Sequence, residues 1–370
     1  MTFMITKERP VVILGAGLSG IQAGALLAAR QIPFRILEAR ERIGGRILGQ
    51  HVPDYPELGV FDVGPTWFWP HSEPYITELA KELGLDTFPQ FRTGHMVLER
   101  AINQPPQRHM LPELGMELSM RFAGGVETLT NALAARLPKG TISLQHRVQT
   151  IARDIEGFSL EVQGLEVPIQ AGAVMIALPP RVAARSISFF PALPARLEKD
   201  LMAKPTWMAG QAKVVAVYKT PFWREQGLSG LATSWVGPLQ EIHDASSPEG
   251  TGALFGFFGI SAQERAKAGK EQVLEAVQQQ LIRLFGPLAQ HPIALLYQDW
   301  SLENETASLE DAEPLRDYPM YGPINHTEFE ESPIVFTGTE TDQNYGGHLE
   351  GALRSAEQAV AHLLTKIKDS

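Results

Sequence analysis

The sequence contains no cysteine among its 370 residues. Disulfide bonds, thiolate metal sites, a catalytic cysteine and a cofactor linked through a thioether are therefore excluded. It also lacks a signal-peptide pattern at its start, and no uninterrupted apolar run approaches the roughly 18–20 residues of a membrane-spanning helix. We therefore expect no membrane segment, and we predict a cytoplasmic protein.

Basic residues are fewer than acidic residues. The chain carries 32 Lys and Arg against 42 Asp and Glu, so its formal net charge is −10. This balance disfavours nucleic acids and anionic membranes as partners. The histidines have no spacing with carboxylates that is typical of a metal site, and we predict no metal. At 44% hydrophobic and 20% charged residues the composition is that of a globular protein, and the length leaves room for two lobes.

Hydrophobic patterning predicts alternating strands and helices at both ends and in the middle of the chain. Predicted strands are Val11–Leu14, 34–38, 142–152, Phe158–Val162, 173–177, Ala212–Tyr218, 253–258 and 334–337. Predicted helices are 18–30, 73–84, one that begins at Gly125, Lys270–Phe285 and 347–366. Residues 89–120 show no clear period.

A glycine-rich turn, GAGLSG, joins the first predicted strand to the first helix. Gly15 permits the tight turn, Gly17 lets the backbone approach a pyrophosphate, and Gly20 lets the helix pack on the strand. Glu38 ends the second strand, where a carboxylate can accept hydrogen bonds from ribose hydroxyls. The combination predicts a dinucleotide site, and the alternative is a tight strand–helix turn without a ligand.

A second glycine turn follows at once. The segment ARERIGGR places Arg40, Arg42, Gly44, Gly45 and Arg46 directly after Glu38. It offers a second close backbone approach and a charge-assisted phosphate contact. A nicotinamide-binding fold usually enters another helix here, so the extra turn favours FAD. Taken alone, such a basic run is a solvated surface.

Several segments resemble the flavin-containing amine oxidase family, which includes monoamine oxidases, polyamine oxidases and L-amino-acid oxidases. The resemblance covers most of the chain in the family's order. The segments are VVILGAGLSGIQAG, ILEARERIGGRI, FDVGPTWF, FAGGVETLTNALAARL, VMIALPPRVAARSISFFPALP, WMAGQAKVVAVYKTPFW and IVFTGTETDQNYGGHLEGALRSAEQA. The first two and the last are the most specific.

The resemblance implies a set of residues at the cofactor. Val148 matches a position whose backbone meets the adenine, Trp300 matches a tryptophan beside the flavin ring, and a helix N-terminus at Gly347 would face the flavin. Without the resemblance, Val148 would be interpreted as an ordinary strand residue and Trp300 as a core residue. The residues that we expect at FAD are Gly15, Gly17, Ser19, Gly20, Glu38, Ala39, Arg40, Gly45, Arg46, Gly64, Pro65, Thr66, Val148, Trp300, Gly338, Thr339, Glu340, Gly347, His348 and Leu349.

The resemblance implies the most specific role in the reaction for Lys213. It lies in a strand of Ala, Val and Tyr, where an unpaired ammonium is costly. The resemblance places it near the flavin through a water, where it would assist proton handling and the reaction with oxygen. The alternative is a lysine at a strand end that reaches solvent.

The chain departs from the family at His348. In monoamine oxidases an aromatic residue of a substrate cage stands at this position, whereas a histidine can also titrate and hydrogen-bond substrate. A structural histidine is the alternative. We expect Tyr321 to form the opposite wall of the substrate cage, and Tyr318 is the alternative. Trp67, in the cluster Trp67, Phe68 and Trp69, completes the predicted reaction centre.

These observations predict an α/β protein. A discontinuous Rossmann-type FAD-binding domain (residues 1–72, 122–203 and 322–370) would be interleaved with an α+β substrate domain (73–121 and 204–321). The expected activity is FAD-dependent oxidation of a small amine or amino-acid-like substrate to an imine, with O₂ reduced to H₂O₂ and FAD bound non-covalently. A flavin desaturase or dehydrogenase acting on C–C bonds, a non-catalytic flavoprotein and a nicotinamide-binding protein are the alternatives.

The ribose assignment predicts the behaviour of one variant. Glu38→Ala should weaken FAD retention, because the ribose hydroxyls lose their acceptor. The measurement is the flavin-to-protein absorbance ratio after gel filtration. Full flavin occupancy in the variant would contradict the assignment.

Overall fold

The computed structural model describes residues 3–110, 117–312, 315, 317–324 and 332–369. Within those ranges no helix is both long enough and apolar enough to cross a bilayer. The helices are α1 (Leu18–Ala29), α2 (Pro74–Glu82), α3 (Glu127–Ala135), α4 (Pro180–Ser186), α5 (Ala195–Ala203), α6 (Phe222–Glu225), α7 (Ala262–Ala268), α8 (Lys270–Phe285) and α9 (Leu349–Leu364).

The strands form several sheets and alternate with these helices along the chain. They are β1 (Phe3–Ile5), β2 (Val11–Leu14), β3 (Phe34–Leu37), β4 (Gly49–His51), β5 (Val60–Asp62), β6 (Thr87–Pro89), β7 (His95–Glu99), β8 (Gln107–Met110), β9 (Met120–Phe122), β10 (Ile142–Ser143), β11 (Val148–Arg153), β12 (Phe158–Val162), β13 (Ile169–Ala171), β14 (Ala173–Ile176), β15 (Ser188–Phe190), β16 (Ala212–Tyr218), β17 (Leu228–Ser234), β18 (Leu239–Asp244), β19 (Gly252–Phe258), β20 (Ala294–Asp299), β21 (Ile334–Phe336) and β22 (Ile367–Asp369).

A five-stranded parallel sheet with the order β10-β3-β2-β14-β21 organises the first core. Its central strands β2 and β14 are apolar and buried along their whole length, as expected for a parallel sheet covered on both faces. Ile13 and Met175 pack towards α1 and α9 on one face. Val12 and Val174 share the other face with the four-stranded sheet β13-β12-β11-β15.

A seven-stranded mixed sheet with the order β20-β16-β19-β18-β17-β7-β8 forms the second core. All residues of β16 are buried. Val214 and Ala216 on one face pack with Val277 of α8. Val215 and Val217 on the other face join a cluster that includes the segment around β5. This second cluster brings β16 next to the loop that follows β5.

The predicted α/β Rossmann-type fold is confirmed, and most predicted elements agree with the structure to within two residues at each end. The predicted strand 142–152 is wrong. Gln145 turns the chain with a φ of 58°, so β10 joins the parallel sheet whereas β11 joins the four-stranded sheet. The unassigned segment 89–120 contains β7, β8 and the start of β9; its residues 111–116 lie outside the described ranges.

The domain division stays a proposal. All strands of the five-stranded sheet fall within the residues assigned to the FAD-binding domain, namely 1–72, 122–203 and 322–370. All strands of the seven-stranded sheet fall within 73–121 and 204–321, the residues assigned to the substrate domain. This distribution supports the proposed boundaries.

A buried ion pair closes one end of the seven-stranded sheet. Arg265 of α7 donates through Nε and Nη2 to Asp299 at the end of β20, each at 2.8 Å, and the two side chains are 1% and 6% exposed. Arg265 also donates to the carbonyl oxygens of Ile260 and Gly210. The pair therefore joins α7, β20 and the chain before β16.

Arg265→Met should lower the free energy of unfolding by about 3–5 kcal/mol, because it leaves the buried Asp299 carboxylate without its cation. The measurement is denaturant-induced unfolding. The control is Arg136→Met, which removes an exposed pair with Glu82 and should cost at most about 1 kcal/mol. Equal losses in the two variants would contradict the prediction.

Candidate active site

A cavity of about 380 Å³ lies at the carboxyl ends of the parallel strands. Its lining includes Gly15 after β2, Glu38 after β3, Ala177 after β14 and Gly338 after β21. Loops diverge at this edge of an open α/β sheet, and ligands bind there. Lys213 of β16 belongs to the same lining, so both cores contribute to one cavity.

The GAGLSG turn presents backbone amides at this edge. Helix α1 begins after Gly17, which has no side chain to cap the first helical N–H groups, so these groups can bind an anion. A Cβ on Gly17 would meet its nearest atom at 4.0 Å, the carbonyl oxygen of Gly44. At Gly20 a Cβ would lie 2.0 Å from the carbonyl oxygen of Gly15. The turn therefore leaves space for a ligand at Gly17 and uses Gly20 for packing.

Glu38 is held in place by the backbone. Its side chain accepts hydrogen bonds from the amides of Ala16 at 2.7 Å and Arg40 at 2.9 Å. The residue is 4% exposed and lines the cavity. Each carboxylate oxygen can accept a further hydrogen bond, as the predicted ribose contact requires.

Two arginines of the second glycine turn, Arg40 and Arg46, are paired with carboxylates. Arg46 donates from both terminal nitrogens to Glu340, at 2.6 and 2.9 Å. Arg40 donates to Glu303 at 3.2 Å and to Thr306 at 2.8 Å. Both arginines line the cavity, and a direct contact of either with a phosphate stays a prediction.

The segment 303–306 crosses the same end of the cavity as Glu38. Glu305 and Thr306 are part of the lining, and Glu305 pairs with Arg147 whereas Glu303 pairs with Arg40. We call this segment the acidic strap. No local pattern predicts its role, because the pairing arginines are distant along the chain.

The remaining predicted cofactor residues divide into two groups. Those that line the cavity are Ser19, Ala39, Gly45, Gly64, Pro65, Thr66, Trp300, Gly338, Thr339, Glu340, Gly347, His348 and Leu349. Gly20 and Val148 are outside the lining, the first at the packed strand–helix turn and the second in the core shared with the four-stranded sheet. The uncapped helix, the open glycine and the fixed carboxylate are chemically matched to a dinucleotide such as FAD.

Lys213 does not reach bulk solvent. It is 2% exposed, and its Nζ donates to the carbonyl oxygen of Gly64 at 2.9 Å and to Oγ1 of Thr66 at 2.5 Å. The ammonium also lies 4.0 Å from the centre of the Phe255 ring. The alternative of a solvent-exposed strand-end lysine is therefore wrong.

A buried carboxylate accompanies this lysine. Asp62 accepts a hydrogen bond from the amide of Val126 at 2.8 Å. Burial lowers the pKa of Lys213 to about 7, and the negative charge of Asp62 opposes that change. Burial likewise raises the pKa of Asp62 to about 6. The lysine is thus brought to a pKa where its charge can change near neutral pH.

Aromatic side chains form much of the remaining wall. Trp67, Trp69 and Trp207 line the cavity. The indole of Trp67 donates to Gln90 at 2.7 Å, which fixes its ring. Phe68, between the first two tryptophans, is 2% exposed and packs on Phe122 in the core. Of the cluster Trp67, Phe68 and Trp69, the two tryptophans therefore line the cavity and the phenylalanine packs in the core.

The structure does not place Tyr321 in this wall. Its hydroxyl donates to the carbonyl oxygen of Pro205 at 2.8 Å, and its ring packs on Gly346, so it is 7% exposed and outside the lining. Trp207 takes the predicted place at the cavity, and its ring lies 4.9 Å from that of Tyr318. Trp207 begins the segment WMAGQAKVVAVYKTPFW, but it was not predicted as a wall residue because the wall was expected from residues 301–323.

His348 immediately precedes α9 and lines the cavity. Its Nδ1 lies 2.7 Å from Oε1 of Glu73, and its ring centroid is 5.6 Å from that of Trp69. Glu73 was not predicted. Its position before Pro74 at the start of a helix is that of an ordinary helix cap. No local sequence pattern indicates that it lies beside His348.

Relatives of this chain were found among known proteins. Putrescine oxidase of Kocuria rosea is 25% identical, with 96% of this chain and 95% of that protein covered. The probable flavin-containing monoamine oxidase A of Dictyostelium discoideum is 23% identical, with 97% and 98% covered. A putrescine oxidase triple mutant has a similar structure, with a TM-score of 0.82 at 21% identity and coverage of 99% and 100%. Cyclohexylamine oxidase from Brevibacterium oxydans IH-35A gives a TM-score of 0.81 at 21% identity, with 97% and 99% covered.

The fold and the cavity define a dinucleotide-dependent oxidoreductase. The model of an NAD(P)-binding Rossmann-like domain matches residues 13–83, and that of flavin containing amine oxidoreductases matches residues 95–364. The chain belongs to the flavin containing amine oxidoreductase family. It is an enzyme with FAD as its cofactor, and the absence of cysteine excludes a cysteinyl link to the flavin.

Two glycine variants should separate ligand space from packing. Gly17→Ala should leave the thermal stability of the FAD-free protein nearly unchanged but weaken FAD binding, because the new methyl group occupies the open side of the turn. Gly20→Ala should lower that stability, since its Cβ meets the Gly15 carbonyl oxygen. Thermal unfolding and flavin fluorescence titration measure the two effects. A destabilised Gly17→Ala protein would contradict the assignment.

Proposed function

We propose that this enzyme oxidises a small alkylamine at the carbon next to nitrogen. In the balanced reaction, R₂CH–NH₂ and O₂ give R₂C=NH and H₂O₂, and water then converts the imine to a carbonyl compound and ammonia. FAD, when bound, supplies the acceptor for the hydrogen and the electron pair that leave the amine carbon. The observation that carries the proposal is the buried Lys213 in one cavity with a dinucleotide turn and aromatic walls.

The aromatic walls are proposed to bind the apolar part of the amine. Trp67, Trp69 and Trp207 give flat, apolar surfaces of defined orientation. The three carboxylates of the described lining have partners in the protein: Glu38 accepts hydrogen bonds from the amides of Ala16 and Arg40 at the dinucleotide turn, Glu340 binds Arg46 and Glu305 binds Arg147. The lining therefore favours an amine that is held through its hydrocarbon part.

Relatives support the substrate class. The names putrescine oxidase and cyclohexylamine oxidase belong to proteins that share the fold over nearly the whole chain. We propose a primary alkylamine, with an amino-acid-like amine as the broader possibility from the sequence. The cytoplasmic location stays a prediction.

The function is tested by an anaerobic visible spectrum of the purified protein. Addition of an alkylamine should bleach the flavin band, and admission of air should restore the band with formation of H₂O₂. The panel should include primary alkylamines, diamines and amino acids. A flavin spectrum that no amine bleaches would overturn the proposal and favour the desaturase or non-catalytic alternatives.

Lys213 is proposed to place a positive charge where charge develops during reduction of oxygen. Reoxidation of the reduced wild-type enzyme should slow as the pH rises through about 7, because the lysine loses its proton there. Lys213→Met should reoxidise more slowly, by about 10²-fold or more at pH 6, and its rate should not vary with pH in this range. Stopped-flow absorbance after mixing with O₂ gives both rates.

The matched control is Lys219→Met. Lys219 lies one residue beyond the end of the same strand and is exposed. Its removal should leave the rate and the pH profile unchanged, and both variants should retain FAD. A wild-type pH profile in Lys213→Met would remove Lys213 from the oxygen reaction.

A further inference from the structure

A methionine, Met208, stands in the wall of the cavity. Among the residues that the structure describes it is the only methionine of the lining, and it is partly exposed. Lys213, where the reaction with oxygen is proposed, belongs to the same lining. The chain has no cysteine, so a thioether is the only kind of sulfur group that this cavity can hold.

The main chain holds Met208 at this wall. Its φ of 61° lies in the left-handed region, which a residue other than glycine rarely adopts. Its carbonyl oxygen accepts a hydrogen bond from the amide of Gln211 at 3.0 Å. On the other side, Trp207 donates its amide to Glu340 at 3.1 Å and accepts from Arg46 at 3.2 Å. These contacts on both sides keep Met208 in its place in the wall.

A second cavity, of about 270 Å³, shares this wall. Met208, Trp207 and Gln211 line both cavities. The lining of the second cavity also includes Leu315 and Asp317, which are exposed. Met208 therefore stands between the proposed reaction cavity and a cavity that reaches the protein surface. A small molecule in either cavity can meet its side chain.

The proposed reaction forms such a small molecule, H₂O₂, in the first cavity. One molecule confined in about 380 Å³ corresponds to a concentration of about 4 M. Bound FAD would reduce the free volume further. Peroxide that has escaped into solvent is diluted far below this value. The residues of the lining therefore meet their highest peroxide concentration directly after each turnover.

We propose that Met208 is converted to methionine sulfoxide by the H₂O₂ of the enzyme's own turnover. A sulfur lone pair attacks one peroxide oxygen, the O–O bond breaks, and the proton of the transferred oxygen passes to the departing hydroxide. CH₃–S–R and H₂O₂ thus give CH₃–S(O)–R and H₂O. The sulfur loses two electrons and the peroxide gains them, so no further reagent is needed. The inference rests on the proposed function, which supplies the peroxide.

The modification would change the wall beside Trp207. Methionine sulfoxide is polar and chiral, whereas methionine is apolar and flexible. The proposed function has the amine held through its hydrocarbon part, so activity should fall as the sulfoxide accumulates. Methionine sulfoxide reductases convert the sulfoxide back to methionine.

Other methionines of the chain supply internal references. Met320 is 95% exposed and Met110 is 69% exposed, and both lie outside the cavity lining. They report on peroxide in the solvent. Met175 is 0% exposed in the parallel sheet, so it reports on oxidation that occurs after unfolding, during sample preparation.

The test uses the FAD-containing enzyme in air with excess catalase and the alkylamine that bleaches the flavin fastest. Catalase destroys peroxide in the solvent but is too large to enter the cavity. After extended turnover, peptide mass spectrometry should find the added oxygen on Met208 at about ten times the fraction found on Met320, or more. With H₂O₂ added to the resting enzyme and no catalase, Met320 and Met110 should be oxidised more than Met208, because they are more exposed.

Oxygen consumption in the same run reports on the oxidase function independently of the methionines. Amine oxidation that leaves Met208 reduced would overturn the inference and leave the function intact. Equal oxidation of Met208 and Met320 in the presence of catalase would overturn it as well. A lack of oxygen consumption with every amine would instead overturn the oxidase function.

A variant gives a second readout. Met208→Leu removes the sulfur with little change in apolar volume. Measured against its own initial rate, this variant should lose less activity than wild type over the same number of turnovers with catalase. Met320→Leu is the matched control and should lose activity as wild type does. Equal losses in Met208→Leu and wild type would overturn the proposed effect of the sulfoxide on activity.

Discussion

The burial of one ammonium group constrains the arrangement of both cores. An isolated charge in a protein interior costs several kcal/mol unless it is hydrogen-bonded or paired. Lys213 projects from a strand whose other residues are apolar, and its partners Gly64 and Thr66 come from the loop after β5. The seven-stranded sheet is thereby tied to the loop that borders the dinucleotide turn. The lysine and its two partners all line the cavity, so the contact joins the two parts of the chain at its wall.

Local pattern was sufficient to predict the backbone of the cofactor site. A buried strand, a glycine turn and an alanine-rich helix are each decided by residues that are close in sequence, and Gly17 and Glu38 lie where that pattern placed them. The pattern also placed Lys213 on a buried strand. It failed at 142–152, where a turn at Gln145 interrupts a run that reads as one strand.

Side-chain partners distant along the chain could not be predicted in the same way. Glu73 reads as a helix-start carboxylate, and only the fold brings it to His348. Tyr321 reads as a cage residue, but a carbonyl partner at Pro205 and packing on Gly346 draw it into the core, and Trp207 stands at the cavity. Family resemblance thus predicts which segments approach the flavin site, whereas packing decides which side chains enter it.

The acidic strap has a consequence for the enzyme's cycle. Its pairs with Arg40 and Arg147 hold residues 303–306 at the end of the cavity that Glu38 also lines, where they would flank a bound nucleotide. FAD flanked in this way would act as a resident group and not as a diffusing carrier of electrons. Each turnover must then be completed in place, and the amine and the oxidant have to use the same chamber, one after the other or side by side. The space between the tryptophans and Lys213 therefore limits the size of the amine and also the access of the oxidant.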